Sequence, residues 1–205
     1  MTPKLTTFRL ILREIKGNDL FGYNEIVSDT ETMKLFGGRI LNELDNRDFI
    51  ERMKIERGKG ISYFWTITLK EEKEFIGFVR LMSYNSIYYD ASFEALGEHK
   101  FDDEILKYFD RKNAWEIDYA LLKNQRNKGI MAEAVEAVMK FCQMEQISVI
   151  FAKVKSLKNE ATIRVLENNN FHACLPQIDN KIFKNYDVKE MIEKKECGMI
   201  YKCTP

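Results

Sequence analysis

Hydrophobic and polar positions change period several times along the chain, and each change predicts an element. Over Phe8–Arg13 apolar side chains alternate and then adjoin, which predicts a strand. From Asp19 to Val27 the residues Leu20, Tyr23, Ile26 and Val27 fall on one helical face. Lys34-Leu35-Phe36-Gly37-Gly38 reads as a helix end closed by glycine, which enters the left-handed conformation easily. Asp45–Arg57 places Phe49, Ile50 and Met53 on one side of a second helix, and Gly58-Lys59-Gly60 stops it. Ser62–Leu69 and Glu74–Met82 read as strands joined by the charged turn Lys70–Lys73, a hairpin. Gly77 inside the second strand marks a bulge or a close approach of another backbone.

Ser83–Asn113 is polar, aromatic and charged without a clean period, although Asp102–Phe109 suits a short helix. It reads as an insertion, either over a binding cleft or as a plain surface excursion. Ala114–Leu122 is then a strand, Lys123–Lys128 a loop and Ile130–Glu145 a helix with Met131, Ala134, Val135, Val138 and Phe141 at helical spacing. Ser148–Val154 reads as a buried strand. Asn159–Asn169 reads as a helix capped by Asn159 and closed by Asn170. Phe171–Cys174 begins another strand and Gly198–Cys203 is the last, with loop and short helix between Lys181 and Lys195. The order predicts α/β layers around one sheet.

Length and composition narrow the class. The chain's 205 residues suit one domain, and 45% hydrophobic residues suffice for a core. The 32 basic and 32 acidic residues cancel, so no global field draws nucleic acid or an anionic membrane. Any anion site must be local. The start of the chain lacks the apolar core of a secretory signal, and no run of apolar residues is long enough to span a bilayer. Cys142, Cys174, Cys197 and Cys203 form no CxxC pair, and with His99 and His172 they complete no zinc pattern. Reduced thiols, no metal and a cytoplasmic location are therefore expected.

The candidate chemistry sits between strand Ala114–Leu122 and the helix from Ile130. Donor-rich Arg126, Asn127 and Lys128 precede Gly129 at a helix start. Backbone N–H groups at such a junction point outward, the helix dipole favours an anion, and glycine lets a phosphate approach. Neither a Walker loop nor a Rossmann fingerprint fits the glycine spacing. Alone, one glycine at a strand–helix junction is a weak signal.

The loop nevertheless resembles the coenzyme loop of the Gcn5-related N-acetyltransferases (GNAT), [Gln/Arg]-x-x-Gly-x-[Gly/Ala]. It stands here as Arg126-Asn127-Lys128-Gly129-Ile130-Met131, followed by Ala132-Glu133-Ala134, with Met131 replacing the small residue. Leu5–Arg13, Ser28–Gly38, Phe75–Leu81, Glu116–Leu121 and Asn159–Phe171 resemble further segments in the family's order. The similarity is to the subgroup of ribosomal-protein N-terminal alanine acetyltransferases. It implies one mixed, mostly antiparallel sheet with helices on both faces, splayed at the family's fourth and fifth strands. The whole chain, 1–205, would be a single GNAT domain with an insertion at about 83–113.

The resemblance further implies acetyl-CoA as cosubstrate. Amides of Arg126, Asn127, Lys128, Gly129, Ile130 and Met131 would hold its pyrophosphate. Backbone groups of Tyr119 and Leu121 would bond the pantetheine arm as an added strand. Asn159 would reach the arm or act only as a helix cap. The side chains of Arg126 and Lys128 either touch phosphate or are solvated charges.

An attacking amine must be neutral, whereas a lysine-type amine has pKa ~10.4, so a base is needed. Glu116 is the first candidate, and the Tyr119 N–H would hold the oxyanion. Strand alternation places Glu116 and Asp118 on one face and Tyr119 on the other. The alternative for Glu116 is a salt bridge to a neighbouring element. Leu166 stands where the family often has a proton-donating tyrosine; Tyr186, Tyr84, Tyr88 or Tyr89 are conceivable substitutes. The amine would enter between Phe36–Arg39 and Lys181–Tyr186. Acidic residues of the insertion (Asp90, Glu94, Glu98, Asp102, Asp103, Glu104) suit a cationic substrate or a solvated surface. Expected partners are acetyl-CoA and an amine, a small molecule or a protein N-terminus, with no nucleic acid or membrane, in a monomer or homodimer. The alternatives are a catalytically silent CoA-binding regulatory protein and a nucleotide-binding or interaction module.

Overall fold

The computed structural model describes residues 1–35, 43–83, 114–178, 181–182 and 198–205. Its strands are β1 (Leu5–Thr6), β2 (Leu10–Arg13), β3 (Ser62–Leu69), β4 (Phe75–Ser83) and β5 (Ala114–Leu121), followed by β6 (Val149–Val154), β7 (His172–Ile178), β8 (Lys181–Ile182) and β9 (Gly198–Cys203). The helices are α1 (Leu20–Ser28), α2 (Thr30–Leu35), α3 (Glu43–Gly58), α4 (Ile130–Met144) and α5 (Glu160–Glu167). Among the described residues the strands form one sheet in the order β1-β2-β3-β4-β5-β6-β9-β7-β8. The β5–β6 pair is parallel, whereas β1–β2, β2–β3, β6–β9, β7–β9 and β7–β8 are antiparallel. This is the mixed α/β, mostly antiparallel class expected from the sequence. The chain forms two compact units, Met1–Leu81 with Ile117–Phe141, and Met82–Glu116 with Cys142–Pro205.

In the first unit, the strand expected over Phe8–Arg13 forms at Leu10–Arg13, two residues later than its expected start. The Thr7 N–H donates to the Leu10 carbonyl at 3.1 Å, and the Leu10 N–H returns a bond to the Thr7 hydroxyl at 2.9 Å. A threonine side chain bonding locally competes with the ladder, so a turn interrupts the apolar run. Leu5 and Thr6 then pair back onto Leu12 and Ile11, and Phe8 is left at the turn, 90% exposed.

The helices of this unit form where the periodicity placed them. Tyr23, Ile26 and Val27 of α1 pack with Met33, Phe49, Met53, Phe64 and Phe78 in one buried cluster. The rings of Tyr23 and Phe49 stack at 4.5 Å. The Asp29 carboxylate accepts from the Thr32 N–H at 3.0 Å and from its hydroxyl, which starts α2. The glycine closure expected at Gly37-Gly38 lies outside the described residues. Gly60, at φ +70°, ends the turn after α3.

Gly77 marks a close approach. A Cβ there would lie 2.4 Å from the Ala120 carbonyl oxygen and 2.6 Å from Leu121 Cδ2. The missing side chain lets β4 and β5 meet, and the Leu122 N–H donates to the Ile76 carbonyl at 3.0 Å. Helix α4 buries Met131, Ala134, Val135, Val138 and Phe141, the face read from its period, and Ile130 with them. Phe141 lies edge-on to Tyr63 and Trp65 at 4.9 and 5.2 Å.

In the second unit, Ala114–Glu116 pair with Val149–Phe151, and β6 pairs on its other side with β9. Ile150 and Phe151 are fully buried. The Asn159 side chain caps α5 by accepting from the Thr162 N–H at 3.3 Å, and Asn170 closes it at φ +62°. Both were the roles expected of those asparagines. The strand begun in Phe171–Cys174 is β7, and it runs on to Ile178, because β9 continues to pair with it through Gln177. The insertion beyond Ser83 lies outside the described residues, as does 183–197. Among the described residues no helix is long and apolar enough to cross a membrane.

Candidate coenzyme and catalytic sites

The loop between β5 and α4 is built from successive reversals of the backbone. A 3-10 turn covers Lys123–Gln125, and its Gln125 N–H donates to the Leu122 carbonyl at 2.9 Å. Asn127 and Gly129 then take left-handed backbones, at φ +61° and +71°. Asparagine is among the few side chains tolerated there, and glycine meets no penalty. The first bond of α4 runs from the Glu133 N–H to the Gly129 carbonyl at 3.2 Å. The amides of Ile130 and Met131 precede it, so the helix offers them no partner. Met131 buries its side chain at 6% exposure.

Side chains hold this loop from two directions. Arg126 turns inward: Nε donates to the Leu121 carbonyl at 3.1 Å and Nη2 to the Thr32 hydroxyl at 2.7 Å. Its fork therefore ties the loop to β5 and α2. Lys123 adds ion pairs to Asp29 at 2.9 Å and Glu31 at 3.2 Å. Hydrogen bonds from Thr32 and then Lys123 pull the Asp29 carboxyl down to about 2. Lys128 is exposed, and its Nζ donates to Gln125 Oε1 at 3.2 Å.

From the other direction, Arg9 Nη1 donates to the Lys128 carbonyl at 2.8 Å and Nε to Glu133 Oε2 at 2.6 Å. The Arg9 N–H and the Thr7 hydroxyl also donate to Glu133, at 2.8 and 2.5 Å. Burial pushes the Glu133 carboxyl up, but the bonds from Thr7 and Arg9 outweigh it and hold the group below its ordinary value. Sequence reasoning included Glu133 in the segment but gave it no role, and it missed Thr7, Arg9 and Thr32 as supports of this loop. The only sequence signal was an acid in the first turn of a helix whose N-terminus should attract anions.

Tyr119, Leu121 and Arg126–Met131 lie together in the first unit, whereas Glu116 and Asn159 lie in the second. Burial raises the Tyr119 phenol above its ordinary range, and the Asp118 charge adds to it. Burial likewise pushes Tyr23 up to about 12, with Arg80 and Arg52 pulling down and Asp118 pushing up. In the second unit Glu116 faces Lys153 Nζ at 3.0 Å, their side chains 8% and 16% exposed. Phe151 is the register partner of Glu116, so Lys153, two residues on, lies on the same face. The salt bridge held open for Glu116 is thus present. Leu166 is fully buried. Phe36–Arg39 of the expected amine entrance lie outside the described residues, as does the entrance beyond Ile182.

Comparison with known proteins gives this geometry a context. Residues 9–172 match the acetyltransferase (GNAT) domain. Over 201 residues the chain is 21% identical to YnaD, an uncharacterized N-acetyltransferase of Bacillus subtilis (strain 168), covering 98% of this chain and 88% of that protein. It is similar to the solved structure of RimL, a ribosomal L7/L12 alpha-N-protein acetyltransferase in complex with coenzyme A, with TM-score 0.68, 14% identity and 98% of each chain covered. It is also similar to spermidine N-acetyltransferase from Vibrio cholerae in complex with CoA and spermine, with TM-score 0.67, 12% identity and 97% and 96% coverage. At such identities the structural likeness speaks for the fold.

Proposed function

The chain belongs to the GNAT acetyltransferase family, and on that premise we propose that it moves the acetyl group of acetyl-CoA to a primary amine. The observation that carries this reading is the loop Arg126–Met131, with Gly129 left-handed at φ +71° where α4 opens. Amides of Arg126, Asn127, Lys128, Gly129, Ile130 and Met131 hold the coenzyme diphosphate in this reading, helped by the helix dipole. Backbone groups of Tyr119 and Leu121 bond the pantetheine arm, and Asn159 assists while capping α5. The amine is a small molecule or a protein N-terminus. The enzyme is a cytoplasmic monomer or homodimer, a single domain with an insertion at about 83–113.

The chemistry is a direct transfer. The amine nitrogen attacks the thioester carbonyl, a C–N bond forms, the C–S bond breaks and coenzyme A leaves as thiolate. Glu116 accepts the amine proton, and the Tyr119 N–H stabilises charge on the carbonyl oxygen. Two observations favour a second reading, a silent coenzyme-binding regulator: the Glu116–Lys153 ion pair, and buried Leu166 in place of a tyrosine. Titration calorimetry with acetyl-CoA, followed by a thiol-release assay over peptide N-termini, polyamines, amino acids and aminoglycosides, separates the two. Binding with release on one amine class is expected. Binding without release on any class supports the regulator, and no binding removes both.

A further inference from the structure

Arg9 stands 119 residues before Lys128, yet it reaches both the last carbonyl of the loop and the first-turn acid of α4. Helix α4 carries a potential conflict. A carboxylate in its first turn and a coenzyme diphosphate would compete for the same positive helix end. Glu133 is that carboxylate, and its three donors all come from the β1–β2 turn: the Thr7 hydroxyl, the Arg9 N–H and Arg9 Nε.

The second half of the arrangement concerns the peptide plane. Arg9 uses Nη1 on the Lys128 carbonyl rather than on Glu133. In a planar trans peptide, C=O and N–H point to opposite sides. Anchoring the Lys128 oxygen therefore turns the Gly129 N–H away from Arg9. One guanidinium fork thus neutralises the acid and orients a loop amide, which a lysine ammonium cannot do with one planar group.

We propose that Arg9 is a positioning residue of the coenzyme site, making the start of α4 a donor surface for a diphosphate despite Glu133. This rests on the reading of Arg126–Met131 as the diphosphate loop. The role predicts selectivity: Arg9 matters for ligands that carry the diphosphate and is indifferent to the pantetheine arm.

The test compares wild type, Arg9→Met, Arg9→Lys and Arg9→Met/Glu133→Gln by calorimetry with coenzyme A and with pantetheine, alongside melting temperatures. Arg9→Met should weaken coenzyme A about tenfold or more while pantetheine stays within about twofold. Adding Glu133→Gln should recover part of the loss, because no unpaired carboxylate then faces the ligand. Arg9→Lys should lie between wild type and Arg9→Met; if Arg9→Met does not fold, Arg9→Lys carries the same comparison. Unchanged coenzyme A affinity, equal losses on both ligands, or no recovery in the double variant overturns the proposal. A wild-type protein that binds no coenzyme A overturns the loop reading itself, a separate outcome.

Discussion

The Glu116 carboxylate and the Lys153 ammonium lie 3.0 Å apart on neighbouring parallel strands, with side chains 8% and 16% exposed. Such a pair adds little net stability over apolar residues, but removing one partner takes the nearest counter-charge from a buried group. Lys153→Met should therefore cost about 3–5 kcal/mol, whereas Glu116→Gln/Lys153→Met should lie closer to wild type. Urea denaturation measures both. A Lys153→Met loss below about 1 kcal/mol would show that solvent or the other surroundings of Glu116 carry its charge.

Arg126 is expected to serve the coenzyme loop without touching phosphate, because its fork is used on Leu121 O and Thr32 Oγ1. Arg126→Met and Thr32→Val should both weaken acetyl-CoA binding, the first by about tenfold and the second less. Arg126→Lys should not rescue, since one ammonium lacks the planar fork. Full rescue by lysine would mean that charge, rather than geometry, is what the loop needs.

These loop partners explain what was legible in the sequence and what was not. Local signals read correctly: the strands Ser62–Leu69 and, to within a residue at each end, Glu74–Met82, the buried face of α4, the cap at Asn159 and the closure at Asn170 all depend on residues a few positions apart. Gly77 was read as a bulge or a close approach, and it is the approach of Ala120. The strand read over Phe8–Arg13 forms from Leu10 only, because the Thr7 side chain closes a turn over Phe8 and Arg9, which apolar periodicity does not register. The Arg9–Glu133 and Arg126–Thr32 bonds join residues about a hundred positions apart or more, and one sequence holds no signal for such pairs. Glu116 was read with two roles open, and its partner Lys153 lies on β6, two residues beyond its register partner Phe151.

Glu133 makes stability depend on acid in a definite direction. Its native carboxyl is held below its ordinary value near 4.5, so around that pH the unfolded chain binds more protons. The stabilisation is fully present above about pH 4.5 and is lost as pH falls through the lower native value. Wild type should melt above Glu133→Gln at pH 7, and the gap should close as the pH is lowered below about 4.5. A gap unchanged from pH 7 to pH 3 would mean that the Thr7 and Arg9 bonds do not favour the ionised form.

Gly77 and Gly129 should respond differently to alanine, because one is constrained by space and the other by conformation. At Gly77 a Cβ would sit 2.4 Å from a backbone oxygen of β5, an atom that cannot swing aside. The strands must separate, so Gly77→Ala should cost about 3 kcal/mol or more. At Gly129 the nearest atom to a Cβ is Arg9 Nη2 at 3.5 Å, so space is adequate and only the φ of +71° resists. Gly129→Ala should cost about 1–2 kcal/mol, and Gly129→Asn less, since asparagine accepts the left-handed region. Denaturation midpoints order the three variants, and coenzyme A titration adds the functional half. Gly129→Ala should weaken binding more than its stability loss implies, because relaxing φ re-aims the amides at the start of α4. If Gly129→Ala binds coenzyme A as wild type does, the left-handed backbone serves the turn alone and the diphosphate is held elsewhere.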